Sequence, residues 1–335
     1  MKIVKSKILG CGVNLPKQII KSDHLFESIQ SDVKYGIPTS WMSQDMGIIE
    51  RRMADTDSTP SDLAIPAAQE AIDNANINPD LIDLVIFCGI ERDHPEPSTA
   101  HTIQDRLGLK ANHAFDVANA CFGFIDGMNI ASRFIESKNA KYALVVTGEV
   151  PTKLLRSSSE KLKAGVDIKM AKKIIGALSV GDAGGAVILG ESETDSGFEV
   201  FNVNSDSTHR NKCVYKQRED GSMEGQMEMA KISAVMCKKH KDLVSDTMTK
   251  LGWSDFDWVL SHQVGKRPFD KISTLKGVTL SKMIKTYDVL GNITSATFPV
   301  SFYNLSKAGI VKNNDRIGGF FAGSGIVIGQ FGYTF

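Results

Sequence analysis

Residues 81–90, LIDLVIFCGI, and 142–150, YALVVTGEV, are near-continuous apolar runs rather than alternating ones. A strand reads this way when both faces are covered, as in a mostly parallel sheet with helices on either side. The intervening segments supply such helices. Residues 61–77 put Leu63, Ala67, Ala71, Ile72 and Ala75 on one helical face, with Ser61 or Asp62 as the expected N-cap. STAHTIQDRLGL (98–109) predicts a helix closed by Gly108, HAFDVAN (113–119) a strand, and CFGFIDGMNIASRFIES (121–137) a further helix. This alternation constrains the chain to a layered α/β fold.

The pattern then repeats. DLVIFCGI (83–90) and DWVLSHQV (257–264) are both Asp-led apolar strands, and each half closes on a Gly-rich strand: LSVGDAGGAVILG (178–190), and the last strand in DRIGGFFAGSGIVIGQFGYTF. A duplicated α/β unit with a boundary near 190 is expected, dividing the chain into 1–190 and 191–335. The polar, Lys-rich stretch 155–175 reads as an exposed, irregular excursion. The stretch GSMEGQMEMAKISAVM (221–236) reads as a strand and helix with ordinary core methionines in preference to a ligand wall.

Composition excludes several functions. With 39 basic and 39 acidic side chains, there is no net field to attract nucleic acid. The five cysteines (Cys11, Cys88, Cys121, Cys213, Cys237) are odd in number and lack CxxC spacing, against both a disulfide framework and a metal site. No apolar stretch approaches the roughly 18 residues of a membrane span. The opening residues read as a strand and turn, not as a signal peptide. A soluble, cytoplasmic protein is expected.

Three residues stand where chemistry is expected. Cys121 falls between a strand and a helix, where the positive helix end favours a thiolate. His262 lies at the carboxyl end of a buried strand, the usual ligand edge of an α/β sheet. Asn292 stands in a Gly-Asn turn before a small-residue helix. Taken singly, Cys121 fits a small buried hydrophobe, the usual fate of a free cysteine, His262 a satisfied core histidine and Asn292 a helix cap. GDAGGA (181–186) and AGSGI (322–326) match no nucleotide fingerprint; close backbone approach explains them better.

Together, DVANACFGF around Cys121, SHQVGKR around His262, GNITSAT around Asn292 and the terminal AGSGI resemble the ketoacyl synthase III branch of the thiolase-fold condensing enzymes. The order Cys, His, Asn and the separations of 141 and 30 residues agree with it. The resemblance covers essentially the whole chain. It implies a duplicated five-layered αβαβα sandwich, assembled as a homodimer, with no permanently bound cofactor. Acyl thioesters of coenzyme A or of a phosphopantetheine-bearing acyl carrier protein would be substrates. It further implies that Cys121 is the acylated nucleophile, and that His262 and Asn292 stabilise the enolate and thioester oxyanion. Backbone N–H groups at Cys121 and near Gly325 would complete an oxyanion hole. Trp41 aligns with an adenine-stacking position and Arg267 with a carrier-protein contact.

Departures from the fatty-acid-initiating members narrow the expectation. The terminal loop reads GSGI where theirs reads GGGF, and Asp45 stands where a basic cofactor contact is expected. In HPEPSTA (94–100), Glu96 lies 25 residues before Cys121, where they carry an apolar residue lent across the dimer. A glutamate there resembles the olefin-pathway and α-pyrone-forming enzymes that join two acyl chains. The resemblance implies that Glu96 reaches the neighbouring site and removes an α-proton, with burial in an acyl tunnel raising its basicity. Decarboxylative condensation of a malonyl thioester, and acyl transfer to an oxygen or nitrogen nucleophile, are the alternative activities.

Overall fold

The two apolar runs lie side by side at the heart of one sheet. Ile82–Phe87 and Tyr142–Glu149 pair in parallel, both almost wholly buried. In this computed structural model, which describes residues 5–217 and 223–335, they belong to a five-stranded sheet. Its order is Ser6–Asn14, Ala183–Glu191, Tyr142–Glu149, Ile82–Phe87, His113–Asp116, with the first two strands antiparallel to each other. The second sheet runs Gly197–Ser205, Val327–Thr334, Arg316–Gly323, Trp258–Ser261. Strand for strand, that repeats the order and direction of the first four. Where the first sheet has His113–Asp116, the second has a single parallel bridge, Val259 to Met283.

Helices Gly123–Glu136 and Thr297–Lys307 fill the space between the sheets. Their Phe124, Met128, Phe298 and Phe302 share one core with Leu84 and Val145 of the first sheet and with Ile317, Phe321 and Phe331 of the second. Helix Pro60–Ala75 covers the outer face of the first sheet, and Met229–Leu251 that of the second. The result is the five-layered αβαβα sandwich of the thiolase fold.

The outer layer owes its closeness to small residues. Ala64, Ala67, Ala68 and Ala71 form the buried face of Pro60–Ala75. The strands beneath answer with Gly10, Gly12, Gly148 and Gly184, at each of which a Cβ would overlap a helix carbonyl oxygen. The close backbone approach expected of GDAGGA is therefore present: Gly184 meets Leu63, Gly181 meets the Leu290 carbonyl, and Gly185 meets the Pro299 ring. This helix begins earlier than its apolar pattern suggested. Thr59 is the N-cap in a reciprocal capping box with Asp62, and Pro60 occupies the first turn, where its missing N–H costs nothing.

Other boundaries shift. The strand read as 113–119 ends at Asp116 and the helix read from 121 starts at Gly123, so Cys121 stands in the turn between them. Residues 155–175 are not irregular. They form two helices, Thr152–Ala164 and Ile168–Ile174, whose Leu154, Leu155, Leu162 and Ile174 are buried beneath the lysines. Ile3 and Val4 of the opening strand, and Gly221 and Ser222 of the methionine-containing stretch, lie outside the described residues. No helix among the described residues is long and apolar enough to cross a membrane.

Gly148→Ala places a methyl group on the Pro60 carbonyl. It is expected to destabilise the protein by at least about 2 kcal/mol in denaturant unfolding, with the m-value unchanged.

Candidate active site

Three turns, each at the carboxyl edge of a sheet, converge on one point. The first leaves His113–Asp116 and carries Cys121. Ala120 is held at φ 49, a left-handed conformation that costs an L-residue on the order of 1–3 kcal/mol, and so sets the angle at which Cys121 leaves the chain. Phe122 is fully buried, and Gly123 sits so close to the Cys88 carbonyl that a Cβ there would lie 2.9 Å from it. From the other half, Gly323 approaches the same turn: its Cβ would lie 2.9 Å from Phe122 Cβ and 3.0 Å from the Asn119 carbonyl.

The thiolate expected from the helix terminus does not materialise. Burial pushes the Cys121 thiol well above its ordinary value, and the nearby Cys213 and Glu149 raise it further. The helix begins only at Gly123, so its positive end offers too little to offset desolvation.

His262 follows the strand Trp258–Ser261, its N–H donating to the Phe320 carbonyl at 2.9 Å. Burial pushes its imidazole down to about 4, so the ring is neutral at physiological pH. Its Nδ1 is buried with no protein partner among the described residues. Asn292 is 3% exposed, and its Oδ1 accepts from the Thr294 N–H at 3.0 Å. That fixes the amide and leaves its NH2 as the group it can offer. Gly325 has φ 142, a conformation reserved in practice for glycine, in the loop after Arg316–Gly323.

Cys121, His262, Asn292, Gly323 and Gly325 line a single cavity of about 540 Å³. This volume falls within the range of about 300–1,000 Å³ usual for small-molecule sites. Its far wall is apolar. Val214 and Met227 come from the hairpin Cys213–Gln217/Met223–Met227, and Met229, Ile232 and Met236 from the long outer helix. Met227 and Met236 pack against the core around Ile232, Ile326 and Ile328 as expected, and with Met229 they also line the cavity. Their pattern matches a buried helix face either way, because a cavity wall and a core wall ask for the same residues. Ser324, the departure in the terminal loop, also lines the cavity and hydrogen-bonds the Cys213 thiol.

The remaining expected residues lie elsewhere. Glu96 is exposed on the loop before helix Thr99–Arg106 and does not line the cavity of its own chain, so this chain alone does not bury it in an apolar tunnel. Trp41 opens the short helix Trp41–Gln44 and packs 6.1 Å from the Phe26 ring. Arg267, in helix Lys266–Ile272, is exposed and lies 4.0 Å from Asp45. Trp41, Asp45 and Arg267 therefore share one surface, joined by the Lys266 N–H donating to the Met46 carbonyl at 2.8 Å. Asp45, the residue out of place by comparison with the initiating enzymes, lies against this cation.

Sequence reasoning missed Glu149 and Glu91. Glu149 ends the strand Tyr142–Glu149, 1% exposed, its carboxyl pushed by burial up to about 8. Glu91 is likewise pushed up by burial, to about 7, with Lys153 opposing the shift from 3.8 Å. A glutamate ending an otherwise apolar strand was the available signal. It passes unnoticed because strand ends are ordinarily polar.

Cys121 in the free enzyme is expected to react slowly with iodoacetamide at pH 7 and faster only at pH above the ordinary thiol range, followed by peptide mapping. A fast reaction with a midpoint below pH 8 would show that the helix terminus outweighs burial.

The comparisons with known proteins agree with this geometry. The family model described as 3-oxoacyl-[acyl-carrier-protein (ACP)] synthase III matches residues 115–208, and its C-terminal counterpart matches 247–332. Between them they cover more than half of the chain. The beta-ketoacyl-[acyl-carrier-protein] synthase III of Rickettsia canadensis is 29% identical over 92% of this chain and 93% of its own length. That of Methylococcus capsulatus is 29% identical over 96% and 98%. Among solved structures, cerulenin-bound OleA of Xanthomonas campestris superposes with a TM-score of 0.93 at 27% identity, covering 99% of this chain and 98% of that one. A structure of the same protein with bound lauric acid and lauroyl-CoA gives 0.93 at 27% identity, over 99% and 100%. With the Cys121 turn, the histidine strand and the Asn loop meeting as they do, the chain belongs to the ketoacyl synthase III-like condensing enzymes of the thiolase superfamily, and is an acyltransferase of that class.

Proposed function

We propose that this protein joins two acyl or β-ketoacyl thioesters by Claisen condensation through an acyl-Cys121 intermediate. The observation that carries this reading is the meeting of Cys121, His262 and Asn292 at one cavity with a long apolar wall. Cys121 sulfur attacks the first thioester carbonyl and expels the coenzyme A or carrier-protein thiol. The neutral His262 is able to take the thiol proton, which matters because burial keeps Cys121 protonated. The Cys121 and Gly325 N–H groups receive the oxyanion. The second thioester loses its α-proton, His262 and the Asn292 NH2 stabilise its enolate, and the enolate carbon displaces Cys121.

Glu96 is the base we assign to that α-proton. Its exposure on the single chain fits a side chain that serves the neighbouring site of a homodimer. Trp41 and Arg267 would receive the coenzyme A or carrier end of the substrate, at the surface they share. Asp45 weakens that surface for an anionic ligand. We place the enzyme in the cytoplasm, where these thioesters are made.

The names of the curated relatives favour a second reading, decarboxylative condensation with a malonyl thioester. The structural likeness to OleA, with lauroyl-CoA bound in one of its structures, favours the first.

Exposure to an acyl-coenzyme A or acyl-carrier donor is expected to give one acyl adduct per chain by intact mass, absent in Cys121→Ala. No adduct with either donor would overturn the enzyme assignment. Glu96→Gln is expected to acylate normally and to lose condensation by about 100-fold or more. Full activity in that variant, with carbon dioxide released from malonyl thioester, would establish the decarboxylative route.

A further inference from the structure

Glu149 is buried where the two halves meet, and nothing in the chemistry above uses it. Its carboxylate accepts from three places. The Ser295 hydroxyl donates to Oε1, and the Ser295 N–H donates to the same oxygen at 3.3 Å. The Ile90 N–H is shared between the two oxygens, at 3.2 and 3.3 Å. Behind Ser295, its hydroxyl lies 2.6 Å from that of Thr147, two residues back along the strand that Glu149 ends. Each member of this network is buried, apart from Ile90, which is half-buried at the cavity edge.

The two anchored points are informative. Ser295 is three residues beyond Asn292, in the tight turn where Asn292 Oδ1 holds the Thr294 N–H. Ile90 lines the cavity and opens the segment that carries Glu96 six residues later. Glu149 thus holds the base of the Asn292 loop and the base of the Glu96 loop from the end of a strand that Ile82–Phe87 separates from the edge strand leading to Cys121. Buried donors seek an acceptor, and here one side chain serves loops 205 residues apart in sequence.

We infer that Glu149 is a positioning residue: by accepting from Ser295 and Ile90 it sets where Asn292 and the Glu96 loop stand relative to Cys121. It acts through these residues and touches no reacting atom. The inference rests on the condensation proposed above, in which Asn292 and Glu96 serve the second step and Cys121 the first. Burial, which pushes the carboxyl up to about 8, agrees with a role as acceptor in place of a role as fixed charge. Oε1 alone takes three of the four bonds, so a glutamine carbonyl at that position would keep them.

The test separates acylation from condensation in Glu149→Ala, Glu149→Gln and Asn292→Ala, and in the double variant Glu149→Ala/Asn292→Ala. Adduct formation on Cys121 is followed by intact mass, and product turnover separately. Glu149→Ala is expected to acylate within about threefold of wild type and to lose about 100-fold in condensation, the scale of a 1 Å misplacement. Glu149→Gln is expected to recover to within about tenfold of wild type. In the Asn292→Ala background, the second substitution is expected to add less than its single effect, as for residues acting through one another. If Glu149→Ala does not fold, Ser295→Ala, which removes the hydroxyl from the opposite side, carries the same comparisons. Unchanged condensation, fully multiplicative losses, or a Glu149→Gln as inactive as Glu149→Ala would each overturn the inference. Absence of a Cys121 adduct in the wild type would instead be a failure of the proposed function itself.

Discussion

Phe122 is wedged between the two halves of the molecule, and the space it occupies exists because the second sheet carries glycine at two facing positions. A Cβ at Gly323 would crowd the Phe122 backbone, and one at Gly329 would overlap its ring. The adjacent residue is Cys121, the nucleophile we propose. Its position is therefore referred to the Gly-rich strands of the other half as firmly as to its own helix. From that fit follow the meeting of Cys121 with the loop at Gly325, the line of His262 from the neighbouring strand, and the cavity they enclose. Dispersion and exclusion at this contact, together with hydrogen bonds between the halves such as Ser295 to Glu149, fix the distance over which the chemistry acts.

Electrostatics at the site are ruled by burial. The thiol of Cys121 is pushed up, the imidazole of His262 down, and the carboxyls of Glu149 and Glu91 up. Each shift favours the uncharged form, so the resting site resembles the apolar chain it is built to receive. In the condensation we propose, charge arises there only during reaction, on an oxyanion or enolate, where fixed N–H and amide donors meet it without reorganising.

Much of this was legible in the chain. The doubled, doubly buried strands announce the layered fold because covering both faces of a sheet forces apolar runs. Cys121 and His262 are visible as motifs because each follows a strand, and Asn292 because a Gly-Asn turn follows the short helix Tyr287–Leu290, where the local pattern must break. What escaped has physical reasons too. Residues 152–174 hide two helices under their lysines because short helices packed by a few leucines leave a mostly polar record. Ile232 and Met236 belong to a small core and also face the cavity, and periodicity cannot tell an empty neighbour from a full one. Glu149 is invisible for a related cause: its partners, Ser295 and Ile90, are remote in sequence. Glu96 is expected to be buried, and in the single chain it is exposed; the service to a neighbouring site that we propose for it would not be written in one chain's own pattern.

The long outer helix and the hairpin beside it form the apolar wall, whereas the nucleophile, histidine and amide stand on turns anchored in the two sheets. Wall and chemistry thus draw on separate parts of the chain. Lineages descending from one such architecture are free to remodel the hairpin and the first turns of Met229–Leu251 without disturbing the reacting groups. Substrate range is then an inheritable variable of one module, and the bond-forming geometry a constant of the other.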